Sequence, residues 1–169
     1  LAWCFEYADW RANPLTFITR QPLGQDGSCN GLQHFSAMLR DQAGGVATNL
    51  VGSERKQDIY ALVALRTAEL VAAAADDDQA IAQRWKKHTL SRSLVKRSVM
   101  TLPYGSTRFS CSEFILKEYL KVGLAPEFTT DEYNRAANWL SYKVWKAIAD
   151  VVVKAPEAME WLQSASDEL

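Results

Sequence analysis

Asp26 stands directly before Gly27 and follows a segment, residues 15–20 (Leu-Thr-Phe-Ile-Thr-Arg), whose β-branched residues and rough alternation read as a short strand. A carboxylate held at a strand's end faces open space, and hard Mg²⁺ takes oxygen ligands of this kind while keeping some of its waters. Gly27 has no side chain, so its carbonyl can also approach a metal. A turn or capping role for Asp26 is the plainer alternative. Farther along, Arg92, Lys96, Met100 and Tyr104 are spaced by four. Each step of four advances about 40° around a helix, which keeps the set within roughly 120° of one face. Two cations one turn apart match the spread of a nucleotide triphosphate, with Arg able to pair with two oxygens and Lys acting as a point charge. The Tyr104 ring, two turns beyond Lys96, can stack on a base or ribose with its hydroxyl free to hydrogen-bond. A solvated helix face ending in a capped aromatic has the same spacing.

Other candidates are weaker. His34 and His88 lack partners at metal-ligand spacing and read as structural. Cys29 and Cys111 read as small apolar fillers. Gly44-Gly45 lacks the following residues of a phosphate loop. Ser28 has no His-Asp pair in its sequence context.

These groups sit in a chain of 169 residues with 19 basic and 20 acidic side chains, a net charge of −1, 48% hydrophobic and 23% charged residues. Such values suit one globular domain and exclude a disordered, collagen-like or low-complexity chain. Three cysteines, with no CxxC pair, argue against a disulfide framework or a cysteine-rich zinc site, and a reducing, cytoplasmic compartment fits best. The nearly uncharged stretch around residues 71–75 is too short to span a bilayer, and no signal-peptide pattern opens the chain. The near-neutral total conceals an asymmetry. Residues 84–121 hold nine basic and two acidic side chains, a net +7, and the remainder is −8. A polyanion is the natural partner of such a segment, although a solvated basic face has the same composition. The abrupt start at Leu1 and the end at Leu169 read as cuts.

The elements that must position these groups are mostly helical. Residues 2–10 are rich in aromatics and read as a buried helix end. Asn30 and Gln33 have capping-box spacing at a helix start, Leu32, Phe35, Met38 and Leu39 share a face, and Gly44-Gly45 is expected to end the helix. Ser53 reads as the N-cap of a longer helix with Ile59, Leu62, Val63 and Leu70 inward, interrupted by an acidic turn, Asp76-Asp77-Asp78. A second long helix is expected over about 79–102, stopped by Pro103 and Gly105. Further helices are expected near 112–122, 131–150 and 156–167, the last with Pro156 in its first turn. No repeat or linker appears, so one compact unit is preferred.

Two stretches carry a family resemblance. Asp26-Gly-Ser-Cys-Asn-Gly-Leu-Gln-His-Phe-Ser-Ala-Met-Leu-Arg-Asp41 resembles the first palm motif of the single-subunit, bacteriophage-type DNA-directed RNA polymerases. Arg92-Ser-Leu-Val-Lys-Arg-Ser-Val-Met-Thr-Leu-Pro-Tyr-Gly105 resembles their fingers-helix motif, R-x-x-x-K-x-x-x-M-T-x-x-Y-G. Both stand in the family's order, joined by Asn49-Leu-Val-Gly-Ser-Glu and Gln57-Asp-Ile-Tyr60, and the match runs from about Cys4 through Trp161, closer to phage than to mitochondrial enzymes. The resemblance implies a mainly α (α+β) palm-and-fingers portion of a right-hand polymerase, with about 1–45 palm-derived and about 46–169 fingers. It implies DNA-templated RNA synthesis from nucleoside triphosphates with two Mg²⁺ ions, in a cytoplasmic phage or prophage setting. The partners it implies are DNA template, nascent RNA and the missing parts of the same polymerase, with no membrane. By position, Asp26 would be a metal carboxylate and Gly27 a carbonyl ligand. Arg92 and Lys96 would bind the triphosphate, Tyr104 would lie by the sugar, Tyr60 would approach the same nucleotide, and Gly105 would lie close to the template.

The chain departs from the pattern in two places. Pro103 precedes Tyr104, where the helix should end or bend. No His-Asp dipeptide, the setting of the family's second metal carboxylate, occurs. One carboxylate cannot hold two metals, so this chain alone is expected to be nearly inactive. A DNA polymerase of the related right-hand family is the alternative enzyme, but its palm motif usually reads Asp-Tyr-Ser followed by a Glu that blocks the 2′-hydroxyl, and neither feature follows Asp26 here. A non-catalytic nucleic-acid-binding module is the alternative of a different class.

Overall fold

A computed structural model of the chain describes residues 1–22, 24, 26–75 and 78–167. Its elements are helical: α1 (Ala2–Ala12), α2 (Asn30–Met38), α3 (Gln42–Ala47), α4 (Ile59–Ala72), α5 (Gln79–Lys87), α6 (Arg92–Thr101), α7 (Arg108–Ile115), α8 (Tyr133–Val151) and α9 (Lys154–Asp167). A 3₁₀ turn, Leu102–Tyr104, extends α6, and a π-helical turn, Leu116–Leu120, extends α7. The mainly helical fold is as expected. Residues 15–20, however, form no strand, and Leu15 and Ile18 are exposed. A strand needs a hydrogen-bonding neighbour, and among the described residues none runs beside this segment.

The core lies where α4 packs on α6 and α8 and where α7 packs on α8. Val63 and Val71 of α4 meet Val95 and Val99 of α6, together with Leu140, Val144 and Ile148 of α8, all essentially inaccessible to water. Each such side chain contributes about 1.5–3 kcal/mol of burial. Trp85 closes one end, its indole N–H donating to the Ala136 carbonyl at 3.2 Å and its ring 4.5 Å from that of Phe128. Cys29 and Cys111 are buried, and burial pushes the Cys111 thiol up to about 11, which suits an inert filler.

Several helix boundaries differ from the periodicity. α1 is helical but buries no residue: Trp3, Phe5, Tyr7 and Trp10 are all exposed, because no other described element supplies a surface for them. α2 begins with Asn30 inside the helix and Cys29 at the cap in left-handed conformation (φ 65°), and Gln33 donates to the Thr48 carbonyl at 2.7 Å instead of closing a capping box. Met38 is exposed, outside the buried face of Leu32 and Phe35. Gly44 and Gly45 do not end that helix but lie buried inside α3. A Cβ on Gly44 would meet Ser36 Oγ at 2.5 Å, and one on Gly45 would meet Val51 Cγ2 at 2.9 Å, so these glycines allow close packing. The cap of α4 is Asp58, not Ser53, whose hydroxyl donates to the Arg55 carbonyl. Asp58 contributes a carboxylate directly before the first helical residue and so satisfies the orphan N–H groups better.

The helix expected over 79–102 is two helices. His88 leaves α5 with extended backbone (ψ 137°), its Nδ1 3.1 Å from both Glu127 carboxylate oxygens and its Nε2 2.9 Å from the Tyr119 hydroxyl. These contacts hold His88 in a structural role. Ser91 then takes the cap position, and Arg92 becomes the first residue of α6. Of the acidic turn, Asp78 caps α5 through Ile81 N–H, whereas Asp76 and Asp77 lie outside the described residues. Pro156 stands in the first turn of α9 as expected. No described helix is long and apolar enough to cross a membrane.

Candidate nucleotide-binding cleft

Asp26 and Gly27 approach α2 from its N-terminal side. The carboxylate Oδ1 accepts from the Gly27 N–H at 2.8 Å and from the Asn30 amide at 3.4 Å, which holds the side chain by one oxygen. Oδ2 has no hydrogen bond among the described residues. The Gly27 carbonyl accepts from the Cys29 N–H at 3.1 Å and keeps one lone pair. A Cβ on Gly27 would meet Asn30 Oδ1 at 1.9 Å and Gln33 Oε1 at 2.5 Å, so a side chain there requires the Asn30 and Gln33 amide ends to move aside.

Across from them stand the N-termini of α4 and α6, joined to each other by Asp58 and Arg92, and a hub at Asn49 links this side to the approach to α2. Asn49 has φ 59°, a left-handed conformation that Asn tolerates. Its amide donates to Ser28 Oγ at 3.1 Å and to the Gln57 carbonyl at 2.8 Å, and its carbonyl oxygen accepts from Gln57 N–H at 2.7 Å. The hub thus ties the approach to α2 to the approach to α4. The next residue, Asp58, caps α4 and accepts from Arg92 Nε at 2.5 Å. Burial acts to raise the Asp58 carboxyl, but the Arg92 guanidinium and the N–H groups of Ala61 and Tyr60 prevail and lower it. Tyr60 is buried under the Arg92 guanidinium, whose Cζ lies 4.7 Å from the ring centroid. Burial, and a hydrogen bond to Cys29, push the Tyr60 hydroxyl well up, so it stays protonated.

The break between α5 and α6 has a chemical consequence: Arg92 sits at a helix N-terminus, where free N–H groups and the helix dipole favour anions. Lys96 follows one turn on, exposed and without an ion pair among the described residues. Much of the basic segment is already neutralised elsewhere, with Arg84 paired to Glu132, Arg97 to Glu118 and Lys117 to Glu113. The 3₁₀ turn then continues the winding past Pro103 and carries Tyr104, 73% exposed, beside Gly31 of α2.

Asp26, Gly27, Tyr60, Arg92, Lys96 and Tyr104 all line one cleft of about 670 Å³. Gly105 does not. It lies in left-handed conformation (φ 82°) at the end of the 3₁₀ turn and lines a neighbouring groove of about 340 Å³ with Arg108, Trp145 and Met159. The cleft also contains residues that spacing did not single out, chiefly Lys56 and Asp58. Lys56 lies outside the basic segment and in no motif. Asp58 stood in the sequence only within the Gln57–Tyr60 stretch, with Ser53 read as the cap, and its ion pair spans 34 positions and has no local signature.

A family model for DNA-dependent RNA polymerase matches residues 1–169. The chain belongs to the DNA-dependent RNA polymerase family. The polymerase segment is 39% identical to T7 RNA polymerase of Escherichia phage T7 over 194 aligned positions, covering 98% of this chain and 22% of that relative. The DNA-directed RNA polymerase of Enterobacteria phage T3 is similar to the same degree, 39% over 98% of this chain and 22% of its own. The mitochondrial DNA-directed RNA polymerase of Mus musculus is 32% identical over 99% of this chain and 14% of that relative. The chain therefore spans about a fifth of the length of the phage relatives it matches. The resemblance to the single-subunit phage enzymes is borne out, and identity is higher to the phage relatives than to the mitochondrial one.

Proposed function

We propose that the 670 Å³ cleft is the nucleoside-triphosphate site of a polymerase performing DNA-templated RNA synthesis, with residues 1–45 palm-derived and 46–169 forming fingers. The observation that carries this reading is convergence. Residues separated by up to 78 positions, picked out for a carboxylate, two cations and an aromatic hydroxyl, border one space.

The donor set fits one Mg²⁺ in part. Asp26 offers a carboxylate oxygen without a protein partner among the described residues, and the Gly27 carbonyl offers a lone pair. Mg²⁺ sites of nucleotide enzymes commonly use one or two carboxylates with substrate phosphates and water. When bound, such ions supply charge neutralisation for in-line phosphoryl transfer, in a two-metal arrangement for this family. Asp26 alone supplies one carboxylate, so these 169 residues by themselves should not sustain nucleotide addition.

The chain's own residues bind and orient. Arg92 and Lys96 would meet the triphosphate along the α6 face and offset charge on the leaving pyrophosphate. Tyr60, with its hydroxyl engaged by Cys29, supports the Arg92 guanidinium from below. Tyr104 presents an exposed hydroxyl to the sugar. A deoxyribose would leave that hydroxyl unpaired, at a cost of about 1–3 kcal/mol if water is excluded, or roughly 5- to 150-fold in selectivity. Gly105, outside the cleft, would face the template from the adjoining groove. DNA template and nascent RNA are the macromolecular partners of this reading.

The test is templated extension by the complete polymerase that contains this segment, carrying Asp26→Asn. Nucleotide addition should disappear while template binding persists. Elongation at the parent rate would overturn the metal role and with it the reading.

A further inference from the structure

Asp58 lines the cleft together with the cations Lys56, Arg92 and Lys96, and both oxygens of its carboxylate are engaged. Oδ1 accepts from the N–H groups of Tyr60 at 3.0 Å and Ala61 at 3.3 Å, and Oδ2 accepts from Arg92 Nε at 2.5 Å. The guanidinium is therefore held on its Nε side by Asp58 and on one face by the Tyr60 ring, 4.7 Å away. Nη1 and Nη2, the edge that pairs with two phosphate oxygens, have no hydrogen-bond partner among the described residues. Asp58 and Arg92 are 40% and 47% exposed, and an ion pair that exposed contributes little to folding. Its effect must be sought in what it does to the guanidinium.

We infer that Asp58 is a positioning residue for Arg92: by gripping Nε while capping α4, it ties a helix-anchored carboxylate to the guanidinium and presents the Nη edge to an incoming triphosphate. The inference rests on the nucleotide-site reading above. A long side chain ordered before the substrate arrives loses less freedom on binding, and a donor fork fixed in advance serves the leaving group without rearrangement. The same carboxylate repels the triphosphate, so it weakens ground-state attraction while improving alignment. Positioning of this kind predicts a loss in kcat with little change in KM.

In the complete polymerase, Asp58→Asn should lower kcat for nucleotide addition about tenfold and shift KM less than about twofold. Asp58→Ser, which keeps an oxygen to cap α4 but has no charge, should do the same, so loss of the cap is not the cause. Asp58→Glu, which restores the charge, should recover part of kcat. In an Arg92→Lys background, which lacks the Nε fork, Asp58→Asn should cost nothing further. Unchanged or increased kcat in both Asp58 variants would overturn the inference, as would full additivity with Arg92→Lys. If Arg92→Ala and Arg92→Lys themselves leave kcat/KM at the parent value, the triphosphate role of Arg92 fails first and this inference falls with it. A defect in the Arg92 variants with none at Asp58 would refute the inference alone.

Discussion

The position of Tyr104 depends on a contact that one methyl group would disturb. Gly31, the second residue of α2, faces the 3₁₀ turn, and a Cβ there would lie 2.8 Å from both Cβ and Cγ of Pro103 and 3.3 Å from the Tyr104 hydroxyl. Ordinary carbon contacts are about 3.5–4.0 Å, so Gly31→Ala must drive the turn back by about 1 Å. Overpacking of this kind costs about 1–3 kcal/mol, partly offset by up to about 1 kcal/mol of helix propensity. The variant should therefore fold. Displacing a substrate-positioning group by about 1 Å can cost 100-fold in rate, so kcat/KM for nucleotide addition by the complete polymerase should fall roughly 10- to 100-fold. Single-nucleotide incorporation kinetics, paired with thermal unfolding, would measure both effects. Gly52→Ala is the control, since a Cβ there meets nothing within 4 Å. If Gly31→Ala incorporates nucleotides within twofold of the parent, the packing of α2 against the turn does not set the Tyr104 ring, and the reasoning is refuted.

Three further outcomes are expected. Tyr104→Phe should narrow the preference for ribonucleotides over deoxyribonucleotides in competition assays, and an unchanged ratio would contradict the sugar contact. Lys96→Ala removes an exposed cation without an ion pair among the described residues, so stability should hold while KM rises for all four nucleotides. An effect on one base only would contradict a triphosphate contact. The third concerns pH. Glu132 accepts from the Thr129 N–H at 3.1 Å and the Thr129 hydroxyl at 2.7 Å and pairs with Arg84, which together hold its carboxyl at about 2, below its ordinary 4.5. A carboxyl lowered on folding stabilises the fold above its unfolded pKa, and that contribution is lost as pH falls from about 4.5 toward about 2. Acid titration of unfolding should show this loss, and Glu132→Gln should flatten it.

Periodicity located most of the helices because an amphipathic face is a local property, written every three or four residues. It missed the break at His88 because that break follows from bonds to Glu127 and Tyr119, 39 and 31 positions away. It also placed the aromatics of α1 in a core, since composition reports a tendency toward burial and not the presence of a covering surface. The strand at residues 15–20 failed for the related reason that a ladder requires a neighbour.

The sequence by itself determined the family, through two long motifs in order, and the chemical types gathered around the cleft: a carboxylate, two cations and a tyrosine. Their spacing along α6 was readable because a helix converts residue number into angle. Only the tertiary structure decided that Arg92 begins a helix instead of lying inside one, that Asp58 grips it, that Lys56 joins the cleft and that Gly105 faces another groove. Those facts depend on which helix N-termini meet, and helices meet through packing of distant apolar faces, which no local spacing encodes.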